Sequence, residues 1–395
     1  DVRSSKSDER TSWVFEVPDT LHALGDMARW WRMQFDIPCV AITGSNGKTT
    51  TKEMTASILQ ARWKILKTEG NFNNLIGLPL TLNHLNASHQ AMVLEMGMND
   101  FGEIRRLTEI AEPTVGAVTN AAAAHLEKLE SVEKVAEAKA ELYDTMNKNG
   151  VAVYNAEDLW LSKKVAAFSG KKISFGMGQA SDVRFEHMEC SGFDSMELKL
   201  SVQGKHLEAK LKTTGIHNVM NAMTACAVAC GLGLPLEAMK EGLENFKPLK
   251  MRFEQIQLAN GVRLVNDAYN ANPLSMEAAF RTVGAGKRAG RFIAVLGDMK
   301  ELGKESARLH EETGKKAVEH GVAKIFVIGK FATSFAKGAL EAGLDKGAVT
   351  EVQDMEEVAK KLAEEMKAGD VVLVKGSRAM HLETVVEALK EKFGI

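Results

Sequence analysis

The residues best suited to chemistry lie in a glycine-rich stretch near the start of the chain. Residues 39–51 read CVAITGSNGKTTT, so an apolar run leads into Gly44-Ser45-Asn46-Gly47-Lys48-Thr49-Thr50, and a helical pattern follows. A strand, a glycine loop and a helix in this order point backbone N–H groups and a helix N-terminus at one spot, where an anion is stabilised. We therefore expect a nucleotide phosphate site in which Lys48 reaches the β- and γ-phosphates and Thr49 binds Mg²⁺.

This loop departs from the usual phosphate-binding pattern at one position. That pattern places a glycine six residues before the lysine, and Ile42 stands there. The structural alternative is a glycine turn capped by threonines. The order of strand, loop, lysine and helix favours the phosphate site over that alternative.

Acidic and imidazole side chains follow two further apolar runs. AMVLEMG (91–97) places Glu95 after four apolar residues, and a carboxylate that ends a buried strand is costly unless it is paired or binds a metal. Glu95 is therefore a candidate Mg²⁺ ligand. The run VGAVTN (115–120) leads through four alanines to His125. Spacing alone leaves His125 open between an ordinary satisfied histidine and a ligand.

Short apolar runs alternate with longer helical patterns, which predicts parallel sheets covered by helices. Strands are predicted at 38–43, 91–97, 115–120 and 150–155, and later in GVRLVND, RFIAVLGD, KIFVIGK and DVVLVKG. Between about 172 and 213 apolar and polar residues alternate, as in antiparallel strands with one wet face. Helices are predicted at 49–62, 131–148, 222–231, 236–246, 305–320, 355–367 and 379–393.

The composition excludes several classes of function. The 395 residues carry 50 basic and 52 acidic side chains, so no excess charge attracts nucleic acid or an anionic membrane. No apolar run reaches the roughly 18–20 residues that cross a bilayer. The four cysteines lack the spacing of a metal site, and Cys226 and Cys230 are interpreted as small buried apolar residues. These features predict a cytoplasmic, reduced protein.

Several motifs, taken in order, resemble those of the Mur ligase family of ATP-dependent amide ligases. In the first half they are GSNGKTT, TEGNFNNLIGLPLTL (68–82), the strand end EMG, TNxxxAHLE, AKAEL and GIHNVMNA (215–222). In the second half they are NDAYNANPLSM (266–276), VLGDMKELG (295–303) and VKGSRAM (374–380). The second set resembles the family member that joins D-alanyl-D-alanine to a UDP-N-acetylmuramoyl tripeptide. The family's loop also lacks the early glycine.

The resemblance implies a site for ATP and two Mg²⁺ ions in the first half. Lys48 and Thr49 would hold the γ-phosphate and the first Mg²⁺ beside Glu95, and His125 would bind the second Mg²⁺. Lys139, in AKAEL, matches a lysine that the family carries as a carbamate; as plain sequence it would be a helix-surface residue. The resemblance assigns nucleotide contacts to His217, Asn218 and Asn221, and substrate contacts to Asn71, Asn73 and Asn74.

The second half would complete the site from the other side. The resemblance assigns Arg252 and Asp267 to ATP, and Tyr269, Asn270, Asn272, Ser275, Lys375 and Arg378 to the substrate. The alternative for NANPLS is turn chemistry and a helix cap. Asp298 and Glu301 follow a strand, at the edge where α/β sheets bind ligands, without an assigned role. His310 and His381 are expected to be ordinary helix residues.

We predict three parts of an α/β chain. Residues 1–35 are a remnant of an amino-terminal domain with a lead-in helix. Residues 36–247 are a central P-loop-type parallel-sheet ATPase domain with an antiparallel β insertion, and 248–395 are a Rossmann-like α/β domain. Family members usually carry a preceding domain that grips the UDP-sugar. Here DVRSS resembles a snippet of it and VFEVPDTLHALGDMARWW the lead-in, so we expect that domain to be largely missing.

The implied activity is amide ligation in peptidoglycan precursor synthesis, through an acyl phosphate made from ATP. Its substrates would be UDP-muramoyl tripeptide and D-alanyl-D-alanine. We expect the protein to be a monomer and to have no nucleic-acid partner. One alternative keeps the chemistry and changes the carboxylate acceptor. Another is a non-catalytic nucleotide-binding protein, which Lys48, Glu95, His125 and Lys139 disfavour because binding alone does not require a two-metal set.

Overall fold

Two large sheets make up most of the described residues, and a pair of short antiparallel strands precedes them. The computed structural model describes the backbone of residues 2–5, 12–286 and 288–395, and the side chains of residues 16–286 and 288–395. Strands β1 (Val2–Ser5) and β2 (Ser12–Phe15) pair antiparallel. Residues 1 and 6–11 of the predicted amino-terminal remnant lie outside the described residues.

The first sheet has nine strands, in the order β11-β10-β9-β8-β7-β6-β3-β5-β4. They are β3 Cys39–Thr43, β4 Ile65–Lys67, β5 Ala91–Glu95, β6 Val115–Val118, β7 Val151–Asn155, β8 Lys171–Gly176, β9 Val183–Ser191, β10 Ser195–Val202 and β11 Lys205–Leu211. Strands β3 to β9 pair in parallel, whereas β9, β10 and β11 pair antiparallel. The predicted antiparallel insertion therefore extends the edge of the parallel sheet.

The second sheet has six strands, in the order β12-β13-β17-β14-β15-β16. They are β12 Glu254–Gln257, β13 Arg263–Asn266, β14 Phe292–Gly297, β15 Lys324–Ile328, β16 Val349–Val352 and β17 Val371–Lys375. Only β12 runs antiparallel to its neighbour. The central strands of both sheets are buried along their whole length, as expected for parallel strands covered on both faces.

Helices cover both sheets. They are α1 Thr20–Arg32, α2 Lys48–Gln60, α3 Gly77–Leu82, α4 Glu103–Ala111, α5 Leu126–Leu129, α6 Val132–Thr145, α7 Leu159–Ala166, α8 Ile216–Gly231, α9 Leu236–Asn245, α10 Pro273–Ala285, α11 Ser306–Glu319, α12 Ala332–Glu341, α13 Met355–Glu365 and α14 Glu383–Phe393. Each sheet has two apolar clusters of buried residues. No helix in the described part of the chain is both long and apolar enough to span a membrane.

The turn between β9 and β10 joins the two sheets on one side of the molecule. Phe193 packs into an apolar cluster of the second sheet, and its carbonyl accepts a hydrogen bond from the Gln255 side chain. Arg263 Nη1 lies 2.5 Å from Asp194 Oδ1. A Cβ atom on Gly286 would lie 2.4 Å from the Phe193 ring, so the turn fits into the second sheet's core at close range.

Two helix predictions need correction at their N-termini. The helix predicted from residue 222 begins at Ile216, so His217, Asn218 and Asn221 lie within α8. The helix predicted from residue 379 begins at Glu383. His381 is therefore not a helix residue: it precedes α14 with a φ of 52°, after a 3₁₀ turn at Arg378–Met380.

Candidate active site

The glycine-rich loop curls tightly between β3 and α2. Gly44 has a φ of 148° and Gly47 a φ of 80°, values that favour glycine. A Cβ atom on Gly44 would lie 1.9 Å from Thr119 Oγ1, and one on Gly47 would lie 2.2 Å from Asn221 Oδ1. Both glycines are therefore required by backbone conformation and by space, and α2 presents its N-terminus to the loop.

Polar groups after β6 hold the loop in place. Asn120 Oδ1 accepts a hydrogen bond from Asn46 N at 3.0 Å, and Thr119 Oγ1 donates to Asn46 O at 2.6 Å. The Ser45 hydroxyl accepts from Ala122 N at 3.0 Å. Sequence reasoning did not assign Thr119 or Asn120 to the site, although the polar end of VGAVTN was a readable signal.

Lys48 folds back over the loop that it follows. Its Nζ donates to Gly44 O at 2.7 Å. Burial lowers the pKa of Lys48, and the nearby Glu95 carboxylate counteracts that effect. A lysine bound only to carbonyl oxygens keeps its charge available, so Lys48 can turn to a phosphate without breaking an ion pair.

Glu95 is a buried carboxylate with one unused oxygen. Its side chain is 2% exposed, and Oε1 accepts a hydrogen bond from Asn73 Nδ2 at 2.7 Å. Oε2 is buried and has no hydrogen-bond partner among the described residues. An unpaired buried carboxylate oxygen is costly, and a cation beside Glu95 removes that cost.

The remaining donors fit Mg²⁺ bound together with a nucleotide. Within residues 16–286 and 288–395, no cluster of three or more His, Cys, Asp or Glu side chains could hold a metal ion. Mg²⁺ usually takes one or two carboxylates, substrate phosphates and waters instead of an all-protein cage. Glu95 with the hydroxyl of Thr49 matches that partial donor set, which depends on phosphate to be complete.

Lys139 lies inside the protein, on α6, and not on the helix surface that its sequence suggested. Its side chain is 1% exposed. Burial lowers the pKa of Lys139 well below its ordinary value, the positive charge of Lys48 lowers it further, and no carboxylate within the described residues counteracts these effects. Both effects favour the unprotonated amine, which is the reactive form of lysine.

The α8 residues form a buried chain of side-chain amides beneath the loop. Thr51 Oγ1 donates to Asn221 Oδ1 at 3.3 Å, Asn221 Nδ2 donates to Asn218 Oδ1 at 3.2 Å, and Asn218 Nδ2 donates to Thr213 Oγ1 at 2.8 Å. The neighbouring His217 ring meets the Phe253 ring edge-on at 5.4 Å. Burial lowers the pKa of His217 to about 4, so this ring is neutral near pH 7.

Arg252, from the second half of the chain, reaches the glycine-rich loop. Its Nη2 donates to Thr49 Oγ1 at 2.7 Å, and its guanidinium lies 3.9 Å from the centre of the Tyr269 ring. The flanking Met251 and Phe253 have φ values of 59° and 55°. A stacked guanidinium is held as a flat plate, so Arg252 is well oriented toward an anion beside Thr49.

The buried Lys375 and the half-buried Asp267 form an ion pair at the ends of β17 and β13. Lys375 Nζ lies 2.5 Å from Asp267 Oδ2 and donates to Asn270 O at 3.0 Å. The other oxygen, Asp267 Oδ1, accepts from Phe253 N at 3.0 Å. Both charges are therefore already paired, and the pair ties together the strand ends and the chain next to Arg252.

Asn272 and Ser275 form the helix cap that the turn pattern of NANPLS suggested. The side chain of each residue accepts a hydrogen bond from the backbone N–H of the other, which makes a capping box at the start of α10. Asn272 Nδ2 also donates to Asn46 Oδ1 at 2.7 Å. The cap therefore makes a contact with the glycine-rich loop of the other sheet.

Asp298 and His310 organise the loop after β14. Asp298 is 1% exposed, and its oxygens accept from the backbone N–H groups of Lys330 and Phe331, both at 3.0 Å. His310 Nε2 accepts from Met299 N at 2.9 Å, and its Nδ1 donates to Ser306 O at 2.6 Å. His310 is thus more than an ordinary helix residue, because both ring nitrogens fix backbone.

The carboxyl ends of the two sheets face each other across a cleft of about 920 Å³. We call the residues after β3, β5, β6 and β7 the first wall, and those after β13, β14 and β17 the second wall. Every residue that the sequence assigned to the site lines this cleft except Gly44 and Lys139, which lie beneath its surface. Polar and charged lining residues that the sequence did not indicate are Asn99, Glu103, Thr119, Asn120, Asn155, Glu157, Thr224, Arg281, Lys300 and Ser377.

Comparison with known proteins places this architecture in one family. Residues 42–229 match the Mur ligase middle domain, and residues 251–378 match the Mur ligase, glutamate ligase domain. The UDP-N-acetylmuramoyl-tripeptide–D-alanyl-D-alanine ligase of Bacillus subtilis (strain 168) is 35% identical over 385 residues, covering 96% of this chain and 81% of that protein. The enzyme of the same name from Escherichia coli (strain K12) is 38% identical over 380 residues, covering 95% and 82%.

Solved structures agree with the sequence comparison. A crystal structure of MurF from Acinetobacter baumannii is 32% identical, with a TM-score of 0.88, and covers 98% of this chain and 84% of that one. MurF ligase from Thermotoga maritima, solved in complex with ADP, is 28% identical with a TM-score of 0.86 and covers 99% and 87%. The chain belongs to the Mur ligase family.

Proposed function

We propose that the protein uses ATP to join D-alanyl-D-alanine to UDP-N-acetylmuramoyl tripeptide, in the synthesis of peptidoglycan precursors. The observation that carries this proposal is the relatives named for that reaction, at 35% and 38% identity over at least 95% of the chain. The lining of the cleft supports this proposal. The cleft brings together the glycine-rich loop, the Glu95 carboxylate with its unused oxygen, and the cations Lys48 and Arg252.

In this proposal the first wall binds ATP. The loop amides, the N-terminus of α2 and Lys48 hold the phosphates, while Thr49, Glu95 and His125 are the residues that would bind Mg²⁺. Mg²⁺ supplies neutralisation of the anionic phosphates when it is bound. The Arg252 guanidinium would exchange its hydrogen bond to Thr49 Oγ1 for one to the γ-phosphate. It would remain stacked on the Tyr269 ring during this exchange.

Lys139 would act as a carbamate. Its neutral amine would add to CO₂, forming an N–C bond and releasing one proton, and the product is an anion. Conversion of this buried amine to an anion would balance the charge of Lys48 and offer oxygens toward the metal site. The lowered pKa of Lys139 supports this role, because only the unprotonated amine attacks CO₂.

The reaction would proceed in two steps. The tripeptide carboxylate attacks the γ-phosphorus of ATP, so that ADP leaves and an acyl phosphate forms. The amine of D-alanyl-D-alanine then attacks the acyl carbon, phosphate leaves, and the amine gives up a proton. Positive charge from both walls would allow the two anions to approach, and closure of the walls would exclude water from the acyl phosphate.

The assignment of the acceptor residues is also part of this proposal. Asn71, Asn73 and Asn74 lie on the cleft, although Asn73 orients Glu95 and Asn74 Oδ1 accepts from the first amides of α3. Tyr269, Asn270, Lys375 and Arg378 would complete the substrate site. We further propose the domain division at residue 247, a monomeric state and a cytoplasmic location.

Phosphate release measured under matched conditions tests the proposal. Purified protein with ATP and Mg²⁺ should release phosphate only when D-alanyl-D-alanine and UDP-muramoyl tripeptide are both present. Release with other carboxylates but not with the tripeptide would replace the acceptor. No release with any carboxylate, in protein that still binds an ATP analogue, would indicate a nucleotide-binding protein without ligase activity.

A further inference from the structure

Two loops from opposite walls meet at His125 and Glu301. His125 Nδ1 lies 2.5 Å from Glu301 Oε2, and Glu127 N donates to the Glu301 carbonyl at 3.1 Å. His125 comes from the loop after β6, and Glu301 comes from the loop after β14. The imidazole that the first wall offers to a cation is thus bound by a carboxylate of the second wall.

The backbone around this contact is specialised on both sides. His125 has a φ of 56° and Glu301 a φ of 65°, and non-glycine residues in such conformations need support from their surroundings. Gly303 has a φ of 57°, and a Cβ atom there would lie 3.1 Å from Glu127 Cα. Close backbone approach and an unusual conformation on each side indicate a fitted contact.

Leu126 adds an apolar anchor to the same contact. Its side chain packs against an apolar cluster of the first sheet and against a cluster of the second. Because Leu126 lies between His125 and Glu127, its packing against the second sheet's apolar cluster holds both neighbours close to Glu301. The contact therefore forms and breaks as a unit with the approach of the two walls.

We propose that Glu301 is a positioning residue that prepares His125 for a divalent cation only when the two walls are together. By accepting from Nδ1–H, the carboxylate fixes the tautomer that leaves the Nε2 lone pair free for a cation, and it fixes the ring orientation. Such carboxylate–histidine pairs are the usual support of metal-binding histidines. Here the two members come from different sheets, so cation affinity and closure of the cleft are linked reciprocally.

The inference rests on the proposed function, since it assumes a cation bound beside His125 and a nucleotide. It adds that the second wall takes part in cation binding without being a ligand. In an open molecule His125 lacks its orienting carboxylate and binds the cation weakly. Binding of the cation with the nucleotide therefore favours the closed arrangement.

The test is Mn²⁺ binding to the full chain in the presence of a nonhydrolysable ATP analogue, measured by electron paramagnetic resonance of free Mn²⁺. Glu301→Gln removes the charge and keeps the size of the side chain. We expect the weaker of two Mn²⁺ equivalents to lose about 10–100-fold in affinity, the usual effect of removing a residue that supports a metal ligand. The Mn²⁺ concentration needed for closure, followed by small-angle scattering, should rise in parallel.

Asp194→Asn is the matched control. It removes another carboxylate that pairs across the two sheets, opposite Arg263, at the β9–β10 turn instead of the cleft loops. We expect its Mn²⁺ affinity to stay within about twofold of the parent protein, because it supports no ligand. Equal Mn²⁺ affinity in the parent and Glu301→Gln proteins would overturn the inference. Failure of the parent to bind both analogue and Mn²⁺ would instead overturn the proposed function.

Discussion

The two walls of the cleft differ in whether their buried charged groups have partners. In the first wall and beneath it, Glu95 leaves one oxygen without a partner and Lys139 has no carboxylate to balance it among the described residues. In the second wall, Lys375 is paired with Asp267, and Asp298 accepts from two backbone amides. Burial is similar in the two walls: Glu95, Lys139, Lys375 and Asp298 are each 1–2% exposed, and the Asp267 side chain is 18% exposed.

This difference separates ligand binding from scaffolding. A buried charge without a partner lowers the stability of the fold. A ligand that pairs with this charge removes the unfavourable free energy. A buried charge with partners is already part of the fold. We therefore expect the first wall to bind ligands, whereas the charges of the second wall are already paired, and the second half of the chain brings Arg252 and Glu301 to the first wall.

The two buried lysines should show the largest contrast. Lys375→Met leaves the half-buried Asp267 carboxylate without its partner, so we expect the free energy of unfolding to fall by about 3 kcal/mol. Lys139→Met removes an unbalanced amine from a similar environment, so stability should stay within about 1 kcal/mol of the parent value. Urea denaturation of both variants measures these changes.

Replacement of Lys139 should have a large effect on activity although its effect on stability is small. Lys139→Ala should abolish phosphate release, and a short-chain carboxylic acid should restore part of it by supplying the missing anion. A Lys139→Ala protein with normal turnover would remove the carbamate role. Equal destabilisation by Lys139→Met and Lys375→Met would remove the contrast between the walls.

The two buried carboxylates provide the next comparison. Glu95→Gln keeps the bond from Asn73 but removes the charge offered to a cation, so turnover should fall about 10²–10³-fold with little loss of stability. Asp298→Asn leaves one of two backbone amides without an acceptor, so stability should fall by about 2 kcal/mol. Steady-state phosphate release and thermal unfolding, measured on both variants, separate the two effects. Similar turnover for both would contradict the distinction.

The last comparison concerns His217 and the dependence of stability on pH. Its pKa of about 4 in the folded protein lies below the ordinary value of 6.5, so between those values only the unfolded state binds the proton. Stability should therefore fall as pH drops from about 6.5 to about 4, by at most about 3 kcal/mol from this group. Denaturation of the parent and of His217→Gln across this range measures the slope, which should be shallower in the variant. Parallel curves would show that His217 is not responsible.

The sequence predicted those parts of the site that are local in the chain. The glycine-rich loop, Lys48 and Glu95 follow from a strand, a turn and a helix in order, because each is placed by its immediate neighbours. The antiparallel pattern of 172–213 was also readable, although not its pairing onto β8 at the sheet edge.

Features that depend on distant contacts could not be read in this way. Burial of Lys139 results from packing around α6, and a polar residue in a helix gives no sign of it beyond the family resemblance. The contacts of Glu301 with His125 and of Arg252 with Thr49 join residues 176 and 203 positions apart. Local patterns place such residues at strand ends but do not indicate which will meet.

The β9–β10 turn limits how the molecule can move. Phe193 is seated in the second sheet's core next to Gly286, and the chain itself crosses between the sheets at residues 246–253. Because this contact holds the two sheets together at the β9–β10 turn, we expect any separation of the sheets to pivot there and to widen the cleft away from the turn.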